Sequence, residues 1–358
     1  MRKKHNICFI LGAGFSHNAG LPLQKDFPKM LLKNYSNSDI DNVITETIKQ
    51  FLIDIFRLHN ESYHPSLEDI FTCIDLSANT GHHLGESYPP NKLRAIRRML
   101  IYRVFSIINS KYKPSDDIKK LLNHFCNDAS CKISFIVMNW DIVLELHLND
   151  INQSGKIDYQ FPCYDWITVK NKIKSDGIPI CKMHGSSNWV YCENCKSIFF
   201  DLKEKLALSI KTGIKKEDFK LFCDEDTYYH IANKLSNCES ERKCKFCTNQ
   251  VSSHIATFSY RKSFRTAAYS SIWYQAEKNL AQADRWIFIG YSLPDSDYEF
   301  KHMLKSAELQ NINNEASNRI SEVIYKKCDT TEKKFKDFFG GMVTKTHNGG
   351  LKQFVSHL

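Results

Sequence analysis

The chain has 358 residues, 42% of them hydrophobic and 25% charged. This is the composition of an ordinary globular protein: it excludes collagen-like, disordered and small disulfide-stapled classes, and its length allows one large domain with additions or two to three domains. Lys and Arg number 49 against 40 Asp and Glu, a net charge of +9, which permits an anionic partner without demanding one; no run of about 18 apolar residues marks a membrane span.

Arg2, Lys3 and Lys4 precede the short apolar run Ile7–Leu11. That run enters a glycine turn rather than a cleavage site, so it reads as a buried strand and not as a signal peptide. A cytoplasmic location is expected. There, 13 cysteines with Cys-x-x-Cys pairs point to metal or redox chemistry before disulfides. The turn is Gly12-Ala13-Gly14-Phe15-Ser16, followed by Gly20-Leu21-Pro22. Its glycines would let backbone approach a pyrophosphate at a helix start, although a ligand-free glycine turn looks the same.

Residues 25–128 read as a helical insertion. Apolar residues recur at helical spacing from Asp39 to Arg57. Ser66 caps a second helix, with Glu68 and Asp69 in its first turn, and Leu93–Asn109 and Ser115–Asn127 give two more. Between Asn91 and Lys113 there are seven Lys or Arg and no acid. Arg94, Arg97, Arg98 and Arg103 read as a solvated face, with a nucleic-acid contact as the minority reading.

Strands return at Ile133–Val137, ending in Met138-Asn139-Trp140-Asp141, and at Pro179–Met183, ending in His184-Gly185-Ser186. Asn139 and Asp141 would hold a polar ligand or cap the helix that follows; His184 would be a general base or a satisfied structural histidine. Cys192-x-x-Cys195 and Cys244-x-x-Cys247 supply four thiolates for a closed, structural zinc site. Their separation is long, and Cys223 and Cys238 lie inside it as exchangeable ligands. A short strand is expected at Ile255–Phe258 and a helix at Ser271–Gln282. Trp286–Ile289 is a buried strand that ends in Gly290-Tyr291-Ser292, with Asp295 or Ser296 as the cap of the next helix, Asp297–Ala307. Val323–Tyr325 and Thr331–Phe339 complete the pattern. Short apolar strands alternating with helices predict an α/β fold with a doubly wound, Rossmann-like parallel sheet. Its ligand should sit at the carboxyl ends of the strands.

In this order the motifs resemble the sirtuin family. Gly12–Ser16 with Gly20-Leu21-Pro22 is similar to its phosphate loop, Met138-Asn139-Trp140-Asp141 to its Gln-Asn-x-Asp segment and His184-Gly185 to its catalytic His-Gly. The two cysteine knuckles are similar to its zinc ribbon, and Gly290-Tyr291-Ser292 to its Gly-Thr/Ser-Ser loop. The resemblance covers about 1–24, 130–200 and 244–345. It implies a Rossmann-like catalytic domain formed by 1–24, 129–190 and 251–358, and a zinc-ribbon module at 191–250 with a long insertion. It also implies NAD as substrate, with Asn139 and His184 catalytic. Gly12, Ala13, Gly14, Ser16, Asp141, Gly290, Tyr291 and Ser292 would bind NAD, and Cys192, Cys195, Cys244 and Cys247 a structural zinc.

Departures from the deacylases are specific. Leu23-Gln24 follows Pro22 where they carry Phe-Arg, Met138 replaces their Gln, and Thr257-Phe258-Ser259-Tyr260-Arg261 stands where they carry Phe-Gly-Glu. Ser66-Leu67-Glu68-Asp69 and Gly290–Asp297 resemble instead the divergent bacterial sirtuin-like proteins of antiphage defence. That branch implies an NAD hydrolase that yields nicotinamide and ADP-ribose, a homo-oligomer, and a HerA-type ATPase as a separate partner. Direct nucleic-acid binding is not expected. The rival expectations are a protein-lysine deacylase and a silent NAD- or ADP-ribose-binding subunit.

Overall fold

The computed structural model describes residues 5–58, 63–153, 156–170, 177–202, 213–236, 243–255, 267–310, 320–326 and 329–358. Strand β1 (His5–Leu11) lies at the centre of a seven-stranded sheet. Its last five residues are buried, as expected for a strand covered on both faces. Strands β2 (Cys131–Val137), β3 (Ile157–Asp158) and β5 (Ile178–Lys182) lie to one side of it. On the other side are β9 (Arg285–Ile289), β10 (Ile320–Ile324) and β11 (Lys345–His347). Every pairing in this sheet is parallel. The order β5-β2-β1-β9-β10-β11, with β3 added at one edge, reverses direction at β1. This is the doubly wound arrangement whose crevice opens between the two halves.

The register decides where the site falls. Leu11 pairs with Val137 and Ile289, Val137 with Lys182, and Ile289 with Ile324. Five adjacent strands therefore end in line. The residues that follow, Gly12, Met138, Met183, Gly290 and Tyr325, begin five loops on one edge of the sheet.

Helices α1 (Ala13–His17), α2 (Phe27–Leu31), α3 (Asp39–Phe56), α4 (Leu67–Thr80), α5 (Pro90–Lys111) and α6 (Asp116–Asn127) lie between β1 and β2. Ser38, Ser66 and Ser115 cap α3, α4 and α6, each accepting a backbone N–H of the first turn. The arginines of α5 do not form a solvated face. Arg103 is fully buried and ion-paired with Asp41 at 2.9 Å, Arg97 pairs with Asp75, Arg98 pairs with Asp218, and Arg94 donates to the Ala78 carbonyl. Their acids come from α3, α4 and the short helix α8 (Lys216–Phe219), so the basic run stitches helices together.

Beyond β2, α7 (Val143–Asp150) leads through β3 to a second, four-stranded sheet ordered β4-β7-β6-β8. Its strands are β4 (Tyr164–Asp165), β6 (Gly185–Tyr191), β7 (Ile198–Phe200) and β8 (Ser252–Ile255). Residues 256–258 of the expected Ile255–Phe258 strand lie outside the described residues. Helices α8 and α9 (Glu225–Ser236) fall between β7 and β8. The chain ends through α10 (Ala267–Gln282), α11 (Tyr298–Gln310), α12 (Asp329–Phe339) and α13 (Gly350–Val355). Among the described residues, no helix is long and apolar enough to cross a membrane.

Candidate functional site

The loops beyond the strand ends enclose a cavity of about 990 Å³. Gly12, Ala13, Gly14, Ser16, Asn139, Asp141, His184, Gly290, Tyr291 and Ser292 all line it.

The glycines fit each other before any ligand. A Cβ on Gly12 would meet the Gly290 carbonyl oxygen and the Tyr291 Cα at 2.5 Å. One on Gly290 would stand 2.2 Å from the Phe15 nitrogen and 2.3 Å from the Gly14 carbonyl carbon. Gly290 also has φ of +62°, where an L side chain is strained. The Gly14 N–H donates to the Gly290 carbonyl at 2.8 Å and locks the two loops together.

Asn139 and Asp141 converge on Ser16. The Asn139 amide donates to Ser16 Oγ at 3.0 Å, and Ser16 Oγ donates to Asp141 Oδ1 at 2.9 Å. The same Asp141 oxygen accepts the Val143 N–H at 3.0 Å, so the helix-entry role and the cavity position belong to one residue. Lys182, wholly buried, donates to the Asp141 carbonyl and lies 3.5 Å from Glu145. Burial pushes the Glu145 carboxyl up, against the pull of Lys182.

His184 is 3% exposed. Its Nδ1 lies 3.0 Å from the Met138 carbonyl. A carbonyl only accepts, so Nδ1 carries the proton and Nε2 the lone pair in the neutral ring. Nε2 lies 3.8 Å from Asp297 Oδ1.

Tyr291 lines the cavity, but its hydroxyl turns inward and donates to Asp297 Oδ2 at 3.0 Å. Asp297, Glu68 and Gln24 also line the cavity and were not singled out as site residues from the sequence. Asp297 belongs to a 3-10 turn, Asp295–Asp297, whose N-cap is Pro294. Pro294 caps this turn without a side-chain bond, and Asp295 pairs with Lys301 and Lys334.

Cys192, Cys195, Cys244 and Cys247 form a separate centre whose sulfurs lie within 4.8 Å of one another. Cys192 and Cys247 are 3.4 Å apart, and Cys195 and Cys244 are 3.5 Å apart. These gaps are too long for disulfides and close to the roughly 3.8 Å that tetrahedral Zn–S bonds of about 2.3 Å require. The knuckles repeat one geometry. Lys196 and Thr248 each have φ of +61° and donate their N–H to the carbonyls of Cys192 and Cys244. Hydrogen bonds from Asn249 hold the Cys247 thiol down at about 5, while burial pushes Cys244 up to about 12; a bound zinc takes all four as thiolates. Cys223 bonds to the Phe219 carbonyl away from the cluster, and Cys238 lies outside the described residues.

No family model matches the chain, and no curated protein does. Among solved structures, the chain is similar to one from work on the structural basis of sirtuin substrate affinity: 14% identity over 99% of this chain and 93% of that one, TM-score 0.44. It is also similar to Sir2Tm bound to a propionylated peptide (13%, 99% and 92%, TM-score 0.43) and to a Sir2–p53 peptide–NAD+ complex (13%, 99% and 92%, TM-score 0.42). Likeness at this level assigns neither a residue nor an activity.

Proposed function

We propose that the protein is a sirtuin-like NAD glycohydrolase. The observation that carries this reading is the convergence of four separated motifs on one cavity at the switch point of the sheet. Its volume, about 990 Å³, is at the upper end for a site that encloses one small ligand. With glycine at 12, 14 and 290 the two loops close on each other by backbone, and the Gly12–Ser16 loop would present that backbone to a pyrophosphate.

In this reading the bond between nicotinamide and ribose C1′ lengthens toward an oxocarbenium-like state. Nicotinamide leaves with the bonding pair, the oxygen of water bonds to C1′, and a water proton passes to His184 Nε2. The products are nicotinamide, ADP-ribose and one proton. Asn139, oriented by its bond to Ser16, directs a ribose hydroxyl and the water through its carbonyl oxygen. Asp141 accepts from the nicotinamide carboxamide with the oxygen not bonded to Ser16. The resemblance extends the reading to antiphage defence, with NAD depleted once a partner such as a HerA-type ATPase assembles on the oligomer. The helical insertion or the 197–243 segment would make that contact.

The test is incubation of the purified protein with NAD, alone and with an ATPase encoded beside it, with nicotinamide and ADP-ribose measured. His184→Ala and Asn139→Ala are each expected to abolish cleavage with circular dichroism unchanged. Wild-type turnover by either folded variant would overturn the assignment.

A further inference from the structure

The geometry points to Asp297 as a positioning residue for His184, its carboxylate standing beside Nε2 to stabilise the imidazolium formed when the ring takes a proton. This rests on the hydrolase reading of the cavity.

The two side chains, 4% and 8% exposed, face each other at 3.8 Å. With the proton held on Nδ1 by Met138, the resting pair is a lone pair opposite a carboxylate, and neither group donates to the other. Proton transfer to Nε2 turns this into a donor facing an anion in a desolvated site. The attraction therefore appears as the reaction proceeds and is weak before it, which is the condition for lowering a barrier rather than tightening ground-state binding.

Asp297 is held for this task. Tyr291 donates to Oδ2, and Oδ1 is the oxygen that lies 3.8 Å from the histidine. The Tyr291 ring is 4% exposed and packs against Phe288 and Phe300. Burial, with the Asp297 charge, pushes its phenol well above the ordinary range, so it stays a donor. The other acid of the turn, Asp295, is exposed and paired with lysines. Glu68, at the first turn of α4, is an ionisable group of the helical side that feels Asp297. Burial holds its carboxyl above the usual range, and Asp69 and Asp297 add to this.

Asp297→Asn keeps the shape and removes the charge. With NAD as substrate, kcat is expected to fall by about 10²-fold while KM changes by less than about twofold. Asp297→Glu should recover part of the loss, and the Kd for ADP-ribose should stay near wild type. Independently of turnover, the His184 imidazole, assigned by its loss in His184→Ala, should titrate about half a unit or more lower in Asp297→Asn by NMR. An unchanged His184 titration overturns the inference whether or not NAD is the substrate, and so does an unchanged kcat. If the titration shifts while the wild type cleaves no NAD in any assembly, the pair stands and the hydrolase reading fails. Should Asp297→Asn not fold, Tyr291→Phe carries the test: loss of the Oδ2 donor should lower kcat, and wild-type kcat overturns the pairing.

Discussion

At Gly290, sterics and backbone conformation demand the same residue. Its φ is +62°, and an added Cβ would overlap Gly14 and Phe15 backbone at 2.2–2.4 Å. Backbone on both sides leaves nothing flexible to move aside. Gly290→Ala is therefore expected to cost more than about 2 kcal/mol, measured by urea denaturation, and to lose ADP-ribose binding; a loss below half of that would mean the two loops separate easily. The sequence showed Gly12, Gly14 and Gly290 as glycines a phosphate could approach. It did not show that they pack on each other, because that contact links positions nearly 280 residues apart. Asp297 was hidden for a related reason: in Asp295-Ser296-Asp297, no spacing distinguishes the acid that turns into the cavity from the one that meets lysines.

Elements were legible where burial follows period or composition. The apolar runs of β1, β2 and β9 and the capped helices α3, α4 and α6 fall within a few residues of where the sequence puts them. Strand β6 was not expected: Gly185-Ser186, placed at the end of the Pro179–Met183 strand, instead open a buried strand that runs on through Ser187 and Asn188. Nor did the sequence reveal that the arginines of α5 meet partners as distant as Asp218. The cysteine knuckles were legible from spacing alone, because four sulfurs need only two tight turns to meet. They join the β6–β7 turn to the approach of β8, so metal loss should loosen that sheet first. Cys247→Ser is expected to drop zinc, measured by a colorimetric chelator assay, from about one per chain to well below one. It should also lower the thermal midpoint by several degrees. Full zinc content in the variant would mean that another residue, such as Cys238, completes the site.

For the whole molecule, the question that the proposed NAD chemistry raises is what intercepts the ribose. The helical segment between β1 and β2 returns over the strand ends, and Ser66, Leu67 and Glu68 of its α4 entry line the same cavity as Asn139 and His184. One wall is thus built from an acid-bearing helix start, set beside a cavity of about 990 Å³. A carboxylate there favours a cationic transition state and a polarised water over the apolar tunnel that an acylated lysine requires. NAD consumption by the active protein should accordingly be unchanged, within about twofold, when an acetyl-lysine peptide is added at saturating concentration, and no O-acyl-ADP-ribose should form. Glu68→Gln should slow nicotinamide release without creating peptide dependence. The opposite result, nicotinamide release that requires the peptide and yields the acylated product, would identify the acceptor as acyl-lysine. Glu68 would then be a wall residue rather than part of the water's environment, and His184, with Asp297 beside it, would have to act on a ribose hydroxyl.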